Sequence, residues 1–191
     1  MMKFLHLPPM MWSSSAAWDE IARARPSPIS MIFGLVLPLS ALPPRMLIHA
    51  ADHIGAHYFP DAPADSWRLA ALLFFIAELV SLLLITWLIR EVSKTRKGSA
   101  DIHDAFTVAA VAALPLWLSS LILLQEGIVP VIAIPLLALA ASIALIRYGV
   151  ENLLHIREPI DAFELAVIVT NSGVFAWIVL VGIALAPILA A

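Results

Sequence analysis

Along this chain, five long apolar stretches alternate with short polar ones. They run roughly from Ile29 to Ile48, Trp67 to Leu88, Phe106 to Leu124, Ile128 to Ile146 and Leu165 to Leu189. A helix needs about 20 mostly apolar residues to cross the hydrocarbon of a bilayer, and each stretch meets that length. In lipid, backbone groups must be satisfied within the segment, which a helix achieves by itself. The pattern therefore predicts an all-α fold: a polytopic transmembrane bundle of about five helices. Only Gln125, Glu126 and Gly127 separate the third stretch from the fourth. A connection that short forces an antiparallel helical hairpin. Gly127 and Pro130 argue against one continuous helix there.

The first stretch carries Pro38, Pro43 and Pro44. Each proline removes a backbone donor and crowds the preceding turn, so this helix is expected to be kinked and packed on neighbours. Pro115 and Pro135 suggest similar kinks in the hairpin. Such prolines are also common in membrane helices generally. Ahead of the first stretch, residues 12–25 read as a short amphipathic helix. Ser13, Ser14 or Ser15 would cap it, and Asp19 and Glu20 would lie near its positive end. Trp18, Ile21 and Ala22 would share one side at the membrane interface, and Pro26 and Pro28 would end it. The division is thus 1–28, a cytoplasmic segment with an interfacial helix, and 29–191, the five-helix domain. Pro8 and Pro9 interrupt the short apolar run after Lys3, so the start is read as mature sequence rather than a cleavable signal.

Composition agrees with the pattern. Of 191 residues, 62% are hydrophobic and 13% charged, whereas a soluble domain is nearer one-quarter charged. The net charge of −3 points to no nucleic-acid partner. The absence of cysteine excludes disulfides, thiolate metal sites and cysteine nucleophiles. The placement of charge is more telling. Lys3, Arg23, Arg25, Arg90, Lys94, Arg96, Lys97, Arg147 and Arg157 fall on one side of the five spans; Arg45 and Arg68 fall on the other. Basic residues are retained in the cytoplasm. This places the N-terminus in the cytoplasm and, with an odd number of spans, the C-terminus outside the cell inner membrane.

Several segments carry a family resemblance. They are Trp18, Asp19 and Ile21 in the amphipathic start; Val36-Leu37-Pro38-Leu39-Ser40-Ala41-Leu42-Pro43 in the first span; Asp104-Ala105-Phe106 before the third; and Tyr148-Gly149-Val150 after the fourth. In this order they resemble a bacterial member of the Yip family, named after membrane proteins that interact with Rab/Ypt GTPases. The resemblance covers roughly residue 12 to the end. It implies a five-helix bundle with a cytoplasmic N-terminus and no enzymatic activity. Eukaryotic relatives are linked to vesicle traffic and membrane shaping. Their long cytoplasmic N-terminal region has no counterpart in the roughly 28 residues before the first span here, which argues against direct GTPase recruitment. The resemblance supplies no catalytic residue.

Two constellations could carry chemistry. After the first span stand His49, Asp52, His53 and His57. On a helix the three histidines fall at i, i+4 and i+8 and share a face. Imidazoles with a carboxylate suit zinc or copper, so zinc is the one cofactor in view; Asp52 or Asp61 would supply the carboxylate. The plainer reading is a polar loop with solvated histidines, limited by Pro60 and Pro63. Glu78 lies near the middle of the second span, where a carboxylate is costly and faces the bundle or a cavity. It reads either as a proton or cation relay or as a structural hydrogen bond to Ser81, Thr86, Ser119 or Ser120. Elsewhere, Arg147, Glu151, His155 and Glu158 recur at helical spacing as an interfacial face. Asn171 and Ser172, beside Gly173, suit interhelical contacts. Met1, Met2, Met10 and Met11 carry little weight as copper ligands. No phosphate-binding glycine loop, GxSxG elbow or HExxH motif occurs.

The leading expectation is a non-enzymatic scaffold or accessory subunit that binds membrane lipid and another membrane protein or a second copy of itself. A small transporter or channel for a proton or divalent metal ion is the alternative. An intramembrane enzyme ranks third.

Overall fold

The computed structural model describes residues 18, 21, 23–95, 101–154, 156 and 158–191. Five helices in it are long and apolar enough to cross a membrane: α1 (Pro28–Tyr58), α2 (Ala64–Thr95), α3 (Ile102–Leu124), α4 (Ile128–Leu153) and α5 (Pro159–Leu189). The predicted hairpin is present. The last turn of α3 tightens to 3-10 geometry over Ser120–Leu124, and α4 starts after Gly127.

Helix α1 shows what its prolines do. Ser27 caps it by accepting the Ser30 backbone N–H at 3.2 Å. A wider i→i+5 turn over Ile32–Val36 directly precedes Pro38, and Leu37 N–H donates to Ile32 O. Pro38 has no N–H to give the preceding turn, and the widened turn also relieves its ring clash. A second wide turn, Ala51–Gly55, follows Pro43 and Pro44. The helix runs ten residues past the predicted end at Ile48 and stops at Tyr58, just before Pro60. Its extension is polar and falls below the hydropathy of a span, which is why the apolar pattern alone ended it early.

Helix α2 packs on α3 and α5, α3 packs on α4, and α4 returns to α5, which closes a ring. Helix α1 lies against both α2 and α3. The ends where α1, α3 and α5 begin form one end of the bundle, called here the near end; the α3–α4 hairpin turn marks the far end. Two apolar clusters follow this division. The larger gathers Trp18, Met31, Val36, Ile89, Val108 and Val150 with others towards the near end. The smaller, at the far end, is Ala50, Ile54, Trp67, Ala70 and Ile188.

Residues 12–25 lie mostly outside the described residues, including Ser13 to Ser15, Asp19, Glu20 and Ala22; Trp18, Ile21, Arg23 and Ala24 are helical. Trp18 corrects one expectation. Its indole is 1% exposed and packs inside the protein, not among headgroups. Gly149 makes room for it: a Cβ there would stand 3.0 Å from Trp18 Cη2 and 3.1 Å from the Val108 methyls. Burying an aromatic ring against a bare backbone gains more contact than the interface offers.

Candidate functional site

Glu78 sits ten residues from Arg68 and twelve from Arg90 on α2, about 15 and 18 Å along the axis. That is the middle of the apolar span between them. The side chain is 6% exposed and lines a cavity of about 580 Å³ between the helices. Trp117 on α3 is its hydrogen-bonding neighbour. Its Oε1 has no partner among the described residues, and neither has the Oγ of Ser142, which lines the same cavity from α4.

Three of the four hydroxyls expected to hold Glu78 are turned to their own helices; the fourth, Ser81, lines the same cavity. Thr86 donates to Leu82 O at 2.8 Å, Ser119 to Leu116 O at 2.7 Å and Ser120 to Trp117 O at 2.6 Å. A hydroxyl in a helix reaches its own preceding turn without ordering a second element. The polar neighbour of Glu78 across the helix interface is instead Trp117. Neither Trp117 nor Ser142 stood out in sequence, because a tryptophan or a lone serine in a span is commonplace.

The outer histidines are on α1. The His49 and His53 rings stack with centroids 4.0 Å apart, and His53 Nδ1 lies 2.9 Å from His49 O. His57 meets Tyr58 edge-on, with ring centroids 4.6 Å apart. His53 and His57 line a second cavity of about 420 Å³ together with Tyr58 and Glu126, from the α3–α4 turn. Asp52 is exposed and does not line it. Among the described residues no three histidine or carboxylate side chains stand together as a metal-holding set. Glu126 is the carboxylate the fold brings near His53 and His57; nothing in a sequence separation of about seventy residues announces it.

At the near end, among the described residues, Ser93 Oγ is buried without a partner, whereas Asp104 and Thr107 are matched. Asp104, 5% exposed, takes Arg25 at 3.5 Å and His103 at 3.6 Å. His103 Nε2 lies 2.6 Å from Pro26 O, and Thr107 donates to His103 O at 2.8 Å. The Arg147–Glu151 pair forms at 3.4 Å between exposed side chains; His155 lies outside the described residues. Met1, Met2, Met10 and Met11 lie outside them as well.

Five apolar helices, each long enough to cross a bilayer and packed into one bundle, define a polytopic α-helical membrane protein. The Yip1 domain matches residues 10–180, and the chain belongs to that family. No curated protein and no solved structure matches it. The segments that carried the resemblance converge in space: Trp18, Val36, Ala105, Phe106 and Val150 all contribute to the near-end cluster.

Proposed function

We propose that this chain is a non-enzymatic scaffold or accessory subunit that binds other membrane proteins or lipid. The observation that carries the reading is Asn171. It stands exposed on the outward face of α5, with Phe163, Val167, Phe175 and Ile178 along the same side. It lies twelve residues into the helix, about 18 Å along its axis. An amide facing hydrocarbon is costly unless something hydrogen-bonds to it. A neighbouring transmembrane helix supplies such a partner. The apolar stretch of α5 is only 11% buried within the chain, against 50% for α3, so this face is open to a second protein. The test is native mass spectrometry of the protein in nanodiscs. A stoichiometric protein or a second copy should be retained by the wild type and lost from Asn171→Leu. Retention of no protein by the wild type overturns the scaffold.

The proposed setting is the cell inner membrane, with a cytoplasmic N-terminus and an external C-terminus, and rests on the basic-residue asymmetry. Single cysteines at Ala64 and Ser99 in this cysteine-free chain should label oppositely with an impermeant thiol reagent. Ala64 should react from outside and Ser99 only after the membrane is opened.

A second reading, transport of a proton or divalent metal ion, draws on the cavity shared by His53, His57 and Glu126. Closing a metal site there needs side-chain rotation and His49 or Asp52 as a further ligand. Zinc titration of tag-free protein tests it, beside a variant with His49, His53 and His57 changed to alanine. A site predicts stoichiometric binding at micromolar zinc, absent from the variant.

A further inference from the structure

We propose that α5 is a self-association helix, through which two copies of this chain pair along the face that carries Asn171 and Gly182. This names the partner at Asn171 and rests on the scaffold reading above.

Geometry defines the face. Asn171, Phe175, Ile178, Gly182, Leu185 and Leu189 are all exposed. Their spacing alternates between four and three residues. At 3.6 residues per turn, all of them lie within about 40° of Asn171 around the axis. Such a row is the seam along which two helices pack. Ala176 and Leu180 fall on the opposite side and line the central cavity.

Gly182 is a second and independent observation. Glycine inside a helix is less stable than alanine, so it needs a compensating contact. Gly55 and Gly149 have one within the chain: a Cβ would stand 2.5 Å from Trp67 and 3.0 Å from Trp18. A Cβ at Gly182 would meet nothing within 4 Å, so the protomer supplies no reason for the bare backbone. Ala186, also exposed, follows one turn later. Two small residues four apart form a notch that lets a second helix backbone come close.

The membrane selects the occupant. Copies of one chain carry the same basic-residue signal and insert with the same orientation. The α5 of a second copy therefore runs parallel and presents the same residues at the same depth. A twofold axis along the membrane normal sets the face against itself, and Asn171 meets Asn171. A side-chain amide has both donors and an acceptor, so the two can satisfy each other reciprocally. A different protein would have to bring a polar group to this depth; a second copy does so by construction. Glu164 continues the face near the start of α5, where water and counter-ions screen the like charges.

The experiment uses the purified full chain, reconstituted alone in liposomes at low density. Single cysteines replace Phe175, Ile178 or Leu185 on the seam, and Ala176 or Leu180 off it. Copper phenanthroline oxidises them, and disulfide-linked dimer is read on non-reducing gels. The seam positions should give dimer, and the other two only a collision background. Gly182→Ile, combined with Ile178→Cys, should cut the yield to that background. The new Cβ meets nothing within the protomer, so this loss is not a loss of fold. Asn171→Leu should do the same, whereas Asn171→Gln keeps a donor and an acceptor and should preserve the dimer. Equal yields at all five positions, a maximum at Ala176 or Leu180, no dimer, or an undiminished yield in Gly182→Ile would overturn the pairing. The liposomes hold no other protein. A scaffold for a different partner would fail this test and still retain that partner in native mass spectrometry, so the pairing and the scaffold fail separately.

Discussion

Asp104 and Glu78 are carboxylates buried to the same degree, 5% and 6% exposed, yet their surroundings are opposite. Asp104, at the near end, touches Arg25 and His103, in a region where Trp18 fills the space over Gly149. Glu78, at mid-depth, borders a cavity and leaves one oxygen unmatched. Burial alone therefore does not tell a matched carboxylate from an unmatched one. What separates them is whether neighbouring elements supply partners and fill the volume. The near end is built to stay closed, and the middle is built around space.

The comparison breaks or sharpens through substitutions on each side of it. Trp18→Ala should have the largest effect, a loss of about 3–5 kcal/mol, because it empties the best-filled part of the bundle. Thermal unfolding in detergent would register it as a large fall in midpoint. Gly149→Val should follow at about 1–3 kcal/mol, since added methyl groups meet Trp18 and Val108 with no room to retreat. If either variant unfolds like the wild type, the near end is not the closed region described here. Asp104→Ala should cost about 1 kcal/mol or less, as Arg25 is two-thirds exposed and water replaces much of the pairing. Glu78→Leu should cost no more than that, because membrane hydrogen bonds average about 0.6 kcal/mol. A collapse of the fold in Glu78→Leu would show that the mid-span carboxylate holds the bundle together, and would erase the contrast. The smallest effect is expected at Gly182, whose added Cβ would meet nothing within 4 Å. Gly182→Ala should leave stability unchanged or raise it by up to about 1 kcal/mol through helix propensity.

The five helices were legible because hydropathy over about 20 residues is a signal each segment carries by itself. The hairpin at Gln125–Gly127 was legible for the same reason. Trp18 read as interfacial because its site depends on Gly149, over a hundred residues away. Glu78 was conspicuous as a charge in an apolar run, but its neighbours were misassigned. Ser119 and Ser120 satisfy themselves within α3, and the indole of Trp117 is the polar neighbour instead. Ser142 and Glu126 gain meaning only from what the fold places opposite them. Isolated anomalies could be read from the chain; pairings across helices could not.

The widened turn at Ala51–Gly55 has a consequence for the helical wheel of α1. A turn closed by i→i+5 bonds holds one more residue than an α-turn, so it acts as a phase slip. Residues after it are rotated back relative to those before it. A spacing of four, which keeps side chains in line on a regular helix, therefore no longer does so across 51–55. His57 lands beside Tyr58 and Glu126 rather than extending the His49–His53 stack. Any alignment or designed substitution that counts through this segment in regular turns will assign the wrong meridian to everything up to Phe59.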